Sequence, residues 1–291
     1  MKFERLVPKY QLRFRLRSTT FVPAARACAL IAAIFLCEAR AEAPREKFLH
    51  YEIVATHPHD VEAFTQGLAW HKGRLVESVG GARGAQACGQ QGRSALMLRD
   101  VASGAALSRR PLADTQFGEG VAGDGRRFVQ LTWLSGVALV YDLALRPVAR
   151  FDYEGEGWGL GYDGRRWLMS NGSSRIVARD RKTFAPEGGF DVTHRGRPVS
   201  QLNELEFARG RLYANIWHAD RIAVIDPGSG GVEAWLDLAS LRRGFVKPPG
   251  WNEAEHVLNG IAFDPASGHF FVTGKCWPVL YELRVQAPER P

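Results

Sequence analysis

The stretch QGLAWHKGRLVESV (residues 66–79) decides the fold, because its pattern recurs four more times along the chain. Each copy opens on a turn residue and an apolar residue, runs to a glycine-containing turn, and continues into a second strand. The copies open at Gly67-Leu68, Gly120-Val121, Gly159-Leu160, Glu204-Leu205 and Gly260-Ile261. Their turns are Lys72-Gly73, Asp124-Gly125, Asp163-Gly164, Arg209-Gly210 and Ser267-Gly268. A repeat at this spacing predicts a propeller or a solenoid.

Further strand-like runs follow the copies, rich in β-branched and apolar residues and bounded by turn formers. The clearest pairs are residues 95–101 with 105–112, 137–142 with 148–153, and 221–226 with 232–238. Each unit is therefore predicted to be four short antiparallel strands, which is one propeller blade. The last unit lacks a strand, and residues 49–56 supply one. We expect an all-β, five-bladed β-propeller closed by this N-terminal strand, with a helix near residues 238–243.

The positive charge of the chain is concentrated at its N-terminus. The 291 residues carry a formal net charge of +7, but residues 1–41 hold eight basic and two acidic side chains. Subtracting these from totals of 38 and 31 leaves 30 basic and 29 acidic residues, a net charge of +1. A nearly neutral body argues against nucleic acid as a partner.

The same N-terminal segment predicts export. Its basic region leads into an apolar run, residues 24–36, that is too short to span a bilayer comfortably. Ala39-Arg40-Ala41 then places small residues where a signal peptidase reads them, so we expect cleavage after Ala41. The prediction is a signal peptide at 1–41, one propeller domain at 42–291, and a periplasmic or secreted protein. In the alternative, the uncleaved segment anchors the protein to the membrane.

The repeat also defines five equivalent positions, one just before each copy: Gln66, Glu119, Trp158, Asn203 and Asn259. Inner strands of a propeller converge on a central channel, so these side chains are expected to ring it. Glu119 is the one carboxylate among them, and the glycines beside it allow close approach. Burial among amides and indoles would raise its pKa and suit it to proton transfer. The alternative is a structural glutamate bonded to backbone amides across the channel.

Other polar and aromatic residues fall at corresponding places. Lys275 could hold a substrate carbonyl or pair with Glu119; otherwise it is a solvated loop lysine. Asn203 can donate to a developing oxyanion, whereas Asn259 is better explained as a fastener between blades. Six aromatic residues gather at the same ends: Phe64, Phe117, Trp133, Trp158, Trp217 and Trp277. Each alone is best explained as core, but together they predict a largely apolar pocket.

Several other chemistries find no support. His57, His59 and Asp60 look like metal ligands, but no further His or Cys follows at ligand spacing, so we expect no metal site. The glycine-rich run at 80–92 lacks the Gly-Lys-Ser/Thr ending of a phosphate-binding loop. The sequence has no Gly-x-Ser-x-Gly elbow and no His-Glu-x-x-His motif.

At these residues the chain resembles the plant and bacterial type of glutaminyl-peptide cyclotransferases. The matching motifs follow one another in order over nearly the whole chain after residue 41. They are His59-Asp60, Ala63-Phe64-Thr65-Gln66-Gly67-Leu68, Phe117-Gly118-Glu119-Gly120, Gln130-Leu131-Thr132-Trp133, Gly155-Glu156-Gly157-Trp158-Gly159-Leu160, Leu202-Asn203-Glu204-Leu205-Glu206, Ala214-Asn215-Ile216-Trp217, Val257-Leu258-Asn259-Gly260-Ile261-Ala262 and Thr273-Gly274-Lys275 with Trp277-Pro278. The family fold is a five-bladed β-propeller.

The resemblance implies that the α-amine of an N-terminal glutamine attacks its own side-chain amide, giving pyroglutamate and ammonia. Glu119 would carry the proton from the amine to the ammonia, Lys275 and Asn203 would stabilise the oxyanion, and Gln66 would bind polar groups of the substrate. The pocket walls would be Phe64, Phe117, Trp133, Trp158 and Trp217. The implied partners are peptides or proteins with N-terminal glutamine, bound by a monomer without a cofactor or the zinc of the unrelated animal enzymes.

Two cysteines, Cys88 and Cys276, remain after residue 41. An exported protein seldom keeps two free thiols, but spacing does not establish a pair, and two independent thiols stay open. Compared with the family pattern, the loop up to Gly92 that carries Cys88 is longer. We hypothesise a disulfide that ties this loop to the lysine loop beside the pocket.

Two other functions stay open. One is a catalytically silent propeller that binds a peptide or a small molecule. The other is a lactonase-like hydrolase, which would need a divalent metal and several carboxylate ligands, and the lone carboxylate of the ring argues against it.

Overall fold

The computed structural model describes residues 46–81, 88 and 93–287. Over these residues the chain forms 22 β-strands and one short helix. Five antiparallel sheets hold four strands each, and one separate two-stranded hairpin lies between the third and fourth sheets in the chain. The five-bladed all-β propeller predicted from the repeat is confirmed. The predicted signal peptide, residues 1–41, lies outside the described residues.

In the first four blades the strands run in chain order across the sheet. Blade 1 consists of β2 (Thr65–His71), β3 (Arg74–Val79), β4 (Ala95–Asp100) and β5 (Ala106–Pro111). Blade 2 consists of β6 (Gly118–Gly123), β7 (Phe128–Thr132), β8 (Val137–Tyr141) and β9 (Pro147–Asp152). Blade 3 consists of β10 (Leu160–Tyr162), β11 (Trp167–Met169), β12 (Arg175–Arg179) and β13 (Pro186–Asp191). Blade 4 consists of β16 (Leu202–Ala208), β17 (Arg211–Ile216), β18 (Arg221–Ile225) and β19 (Val232–Asp237).

Blade 5 combines strands from both ends of the propeller. It consists of β20 (Leu258–Asp264), β21 (His269–Gly274), β22 (Val279–Val285) and β1 (Tyr51–Pro58). The N-terminal strand begins at Tyr51 rather than at residue 49, and it pairs antiparallel with β22 from Tyr51 opposite Val285 to Pro58 opposite Val279. Each strand therefore satisfies ladder groups that the other would expose at an edge.

The remaining elements lie between blades 3 and 5. A hairpin of β14 (Thr193–His194) and β15 (Arg197–Pro198), which the sequence did not predict, precedes blade 4. The helix α1 (Ala239–Arg243) lies within the predicted helical stretch. Among the described residues, no helix is long and apolar enough to span a lipid bilayer.

Tight turns of the same kind join the first two strands of blades 1 and 4. Lys72 and Gly73 both have positive φ, +49° and +79°, and Arg209 and Gly210 repeat this with +53° and +76°. Two consecutive positive φ values are the mark of a type I′ turn, whose twist matches the strands it joins. The sequence placed turns at both sites because glycine adopts this conformation without strain.

The inner strands β2, β6, β10, β16 and β20 pack edge to edge around the channel through glycine. A Cβ atom at Gly67 would lie 2.6 Å from Val121 N, and one at Gly120 would lie 2.5 Å from Leu160 N. Only glycine allows one strand to approach the next so closely. The glycine that opens four of the five copies is therefore a packing requirement of the ring.

The apolar core is divided among the contacts between neighbouring blades. Between blades 2 and 3, for example, Val129 and Leu131 of β7 pack against Leu160 and Trp167, and all four side chains are fully buried. Burying a side chain of this size contributes roughly 1.5–3 kcal/mol. The same packing recurs around the ring, so the inner strands are held firmly and their ends form a rigid base for a site.

Candidate active site

A β-bulge interrupts four of the five inner strands at the equivalent position that the repeat defined. The pairing register shifts between Thr65 and Gly67 in β2 and between Gly118 and Val121 in β6, and β16 and β20 carry the same shift. A bulge leaves one residue outside the ladder and re-aims its side chain. Four ring residues, Gln66, Glu119, Asn203 and Asn259, therefore lie at interruptions of the strand pairing.

A cavity of about 600 Å³ lies at this end of the inner strands. It is lined by every residue predicted to act on or bind substrate: Phe64, Gln66, Phe117, Glu119, Trp133, Trp158, Asn203, Trp217 and Lys275. Asn259, the fifth ring residue, is fully buried behind the lining. Trp277 is core, because its ring is fully buried and packs against Phe245.

Glu119 is a buried carboxyl group with an altered acidity. Its side chain is only 4% exposed, and Oε1 accepts a hydrogen bond from Nε2 of Gln66 at 2.9 Å. Burial raises the pKa of Glu119 well above its ordinary value, the positive charge of Lys275 opposes this, and the negative charge of Glu156 adds to it. A carboxylate with a raised pKa is a stronger base than an exposed one, which suits proton transfer.

Lys275 is held in the cavity by a tight turn. Its backbone N–H donates to Val257 O at 2.9 Å, and the next residue, Cys276, donates to Ala63 O at 2.8 Å. The ammonium group lies 4.7 Å from the centre of the Phe64 ring. The side chain is 5% exposed, so it is not the solvated lysine of the alternative reading. Burial lowers the pKa of Lys275, and the charge of Glu119 opposes the change.

Asn259 orients Gln66. Its Nδ2 donates to Thr65 O at 3.0 Å and to Oε1 of Gln66 at 3.3 Å. Because the oxygen of the Gln66 amide faces Asn259, its nitrogen faces Glu119. Asn259 thus fastens the blades, as expected, and also sets the direction of a residue in the cavity.

Asn203 brings an unused acceptor into the cavity. Its side chain is 4% exposed, and Oδ1 has no hydrogen-bond partner among the described residues. A buried polar atom without a partner is costly, so a ligand that supplies a donor gains by binding there.

The aromatic walls form two arcs. Phe64, Phe117 and Trp133 contact edge to face, with ring centres 6.3 and 5.9 Å apart. Trp158 and Trp217 make a second edge-to-face pair at 5.4 Å. These spacings are the favoured ones for aromatic pairs, so the walls are mutually supported. They give the cavity a largely apolar surface with few polar groups, as is usual for small-molecule sites.

Four residues that line the cavity were missed by sequence reasoning: Gly250, Asn252, Glu255 and His256. All lie in the loop between α1 and β20. The loop belongs to no copy of the repeat, so equivalence offered no signal for them. Among them Glu255 is exposed and places a carboxylate near Lys275, and its charge raises the pKa of that lysine.

Two further carboxyl groups follow Asn203 on β16. Glu204 occupies the place where the other copies have glycine, and its oxygens accept the backbone N–H groups of Leu68 at 3.1 Å and Ile261 at 2.8 Å. Burial raises its pKa well above the ordinary value, and both hydrogen bonds oppose this. Glu206 lines a smaller cavity, about 120 Å³, at the other ends of the inner strands. The sequence predicted no role for either carboxyl group.

The histidines that look like metal ligands have protein partners. His59 places Nδ1 2.8 Å from Trp277 O and Nε2 3.0 Å from Oε1 of Glu77. Glu77 also accepts hydrogen bonds from Thr65 and Arg99. In the part of the chain that the structure describes, no three His, Cys, Asp or Glu side chains form a cluster that could hold a metal ion.

Cys88 and Cys276 form a disulfide, with their Cα atoms 5.4 Å apart and a separation of 188 in sequence. Cys276 directly follows Lys275, so the bond lies beside the turn that holds Lys275 in the cavity. It joins the loop carrying Cys88 to that turn, the arrangement we hypothesised.

Comparisons with known proteins agree on one family. Residues 26–285 match the family model described as glutamine cyclotransferase. The chain is 37% identical over 238 residues to a glutaminyl-peptide cyclotransferase of Arabidopsis thaliana, covering 81% of this chain and 71% of that protein. The fold is similar to the crystal structure of the Myxococcus xanthus glutaminyl cyclase, with a TM-score of 0.74 and 36% identity, covering 84% of this chain and all of that one.

Proposed function

This chain belongs to the glutamine cyclotransferase family, and from that premise we propose how its cavity converts N-terminal glutamine of peptides and proteins to pyroglutamate with release of ammonia. The reaction forms a bond between the α-nitrogen and the side-chain amide carbon and breaks the bond from that carbon to the amide nitrogen. One proton moves from the amine to the ammonia. No water or oxidant is consumed.

Glu119 carries that proton. The observation that supports this role is that Glu119, unlike the exposed Glu255, is a buried carboxyl group of the aromatic cavity, 4% exposed, with a neutral amide as its hydrogen-bond partner. As a carboxylate it takes the proton from the attacking amine, and as an acid it gives the proton to the leaving ammonia. One group suffices, because the substrate supplies both the nucleophile and the carbonyl at close range.

Lys275 and Asn203 act on the amide that is attacked. The Lys275 ammonium stabilises the oxyanion that develops on the amide oxygen. Asn203 offers its unpartnered Oδ1 to an N–H of the substrate amine or amide, and its amide nitrogen can donate to the oxyanion. Gln66 donates one hydrogen bond to Glu119 and binds polar groups of the substrate.

The aromatic walls hold the aliphatic part of the glutamine side chain and exclude water. Excluding water strengthens the electrostatic contacts inside the cavity. It also favours attack by the amine over hydrolysis of the amide. The walls therefore hold the glutamine side chain in the folded conformation that cyclisation needs. The five wall residues are Phe64, Phe117, Trp133, Trp158 and Trp217.

The test is a glutamine-initiated peptide incubated with the protein and followed by mass spectrometry and by ammonia release. We expect the loss of one ammonia per peptide, unaffected by a chelator. Glu119→Gln should lower kcat by roughly 10²–10⁴-fold, the usual contribution of acid–base catalysis. The matched control is Glu206→Gln, which changes a carboxyl group at the smaller cavity, outside the ring, and should leave kcat unchanged.

Three outcomes would overturn the proposal. If no glutamine-initiated peptide releases ammonia, the propeller is a silent binding protein. If Glu119→Gln and Glu206→Gln keep the same activity, another group carries the proton. A loss of activity on adding a chelator would point to a metal-dependent reaction instead.

We also propose that the protein is exported to the periplasm or secreted. The predicted signal peptide at 1–41 supports this, and so does the disulfide, because such bonds persist in oxidising compartments. N-terminal sequencing of the protein from cells is expected to begin at Glu42. A chain that retains Met1 and fractionates with membranes would support the anchored alternative.

A further inference from the structure

Glu156 joins the two aromatic arcs of the cavity. Its Oε2 accepts a hydrogen bond from Nε1 of Trp133 at 2.7 Å and another from Nε1 of Trp158 at 2.9 Å. An indole N–H group is a hydrogen-bond donor only, so each of the two indole rings needs an acceptor. A single carboxylate oxygen serves both rings here. The arc that ends at Trp133 and the arc that begins at Trp158 are thereby connected.

The backbone places Glu156 for this contact. Gly155 has φ +81°, and at Gly157 an added Cβ would lie 2.9 Å from the ring of Tyr153, so neither position suits a side chain. Gly157 N donates to Trp133 O at 3.2 Å. The turn that carries the carboxylate is therefore fixed against one of the two tryptophans it contacts.

We propose that Glu156 is a positioning residue that holds Trp133 and Trp158 as one continuous wall of the cyclisation site. The inference rests on the proposed function of the cavity. Without the carboxylate, the Trp133 ring, which is 39% exposed, loses the partner that ties it to the other arc. The wall that folds the glutamine side chain then loosens, and productive binding weakens.

The charge of Glu156 also acts on Glu119. The groups that face Glu119 are Gln66, Lys275, Tyr153 and Glu156. Among the charged ones, Lys275 lowers the pKa of Glu119 and Glu156 raises it. A neutral replacement at Glu156 is therefore expected to lower that pKa and to leave the carboxylate of Glu119 available at lower pH.

Two substitutions separate the hydrogen bonds from the charge. Glu156→Ala removes both, whereas Glu156→Gln keeps an acceptor oxygen and removes the charge. The matched control is Glu154→Ala, an exposed glutamate in the same turn. The readouts are the indole N–H resonances of the 15N-labelled protein, assigned with Trp133→Phe and Trp158→Phe, together with KM, kcat and the pH profile of kcat/KM.

In Glu156→Ala we expect the resonances of Trp133 and Trp158 to move upfield together and KM to rise about tenfold, the factor that one charge-assisted hydrogen bond carries. In Glu156→Gln we expect KM close to the wild-type value and an acid limb of kcat/KM shifted to lower pH. Glu154→Ala should match the wild type in every readout.

The inference is overturned if Glu156→Ala leaves both indole resonances in place, or if its KM rises no more than that of Glu154→Ala. The resonances are read without substrate. A wild-type protein that releases no ammonia therefore refutes the cyclisation site, whereas unmoved resonances in an active protein refute only the role of Glu156.

Discussion

Breaking the disulfide should lower the stability of the propeller by a large and calculable amount. The bond closes a loop of 188 residues, and in the chain-entropy model a loop of that length restricts the unfolded chain by about 5 kcal/mol at 25 °C. With an unfolding entropy of about 2.1 cal/mol/K per residue, such a loss corresponds to a fall in Tm of roughly 10 °C. We therefore expect Cys88→Ala to lower Tm by about that much.

The assay is thermal and urea unfolding of the wild type, Cys88→Ala, Cys276→Ala and the double variant, each with and without reductant. Because both single substitutions remove the same bond, the double variant should be little less stable than either one. Reductant should destabilise the wild type and leave the variants unchanged. Intact mass after alkylation without reduction provides the control, since the oxidised wild type should take up no label on these two thiols.

Additive losses in the double variant would refute this reasoning, as would a wild type that is oxidised by mass but is not destabilised by reductant. Activity provides a second check. The Lys275 turn is also held by backbone hydrogen bonds to Val257 and Ala63, which do not involve the disulfide. Folded Cys88→Ala is therefore expected to retain near wild-type kcat at 25 °C.

Three further predictions follow from the buried charges. Lys275→Met removes the charge that lowers the pKa of Glu119. The acid limb of kcat/KM should therefore move to higher pH, and an unmoved limb would contradict a charge interaction between Lys275 and Glu119. Glu204 has a raised folded-state pKa, so its contribution to stability is complete below the ordinary value of 4.5 and is lost as pH rises through the folded value. Urea unfolding between pH 4 and 8 should show a smaller loss of stability with pH in Glu204→Gln than in the wild type, and parallel curves would exclude this. Glu77 has its pKa lowered to about 2, since the charges of Arg99 and His59 outweigh its burial. Its contribution, about 3 kcal/mol at 1.4 kcal/mol per pKa unit, is present above 4.5 and lost as pH falls through about 2, so the stability difference between wild type and Glu77→Gln should shrink in acid.

The ring of candidate site residues could be predicted from the sequence because it depends on a period. Gln66, Glu119 and Asn203 precede copies of one pattern, and strands that are equivalent in sequence are equivalent in space. The cavity brings them together as that equivalence requires. Lys275 followed from its place at the end of an inner hairpin and from the resemblance.

Other parts of the site depend on contacts that no period encodes. Asn252 and His256 lie in a loop with no counterpart in other blades, so nothing in the sequence predicted that they line the cavity. Glu156 stood within a recognised motif, but its function depends on Trp133, which reaches it from another blade. Glu204 opens the fourth copy of the repeat. Only the structure shows that its carboxyl group accepts hydrogen bonds from two other inner strands, β2 and β20.

The bulges at the ring positions have a consequence for how such a protein can change. A residue outside the ladder contributes little to strand pairing, so its side chain can be exchanged without altering the register on either side. Residues 66, 119, 203 and 259 stand at such places in four inner strands. The propeller thus separates the positions of the candidate site from the positions that specify the fold. A library that varies residues 66, 119 and 203 and keeps Asn259, which fastens the blades, would sample new chemistries while most of its members still fold.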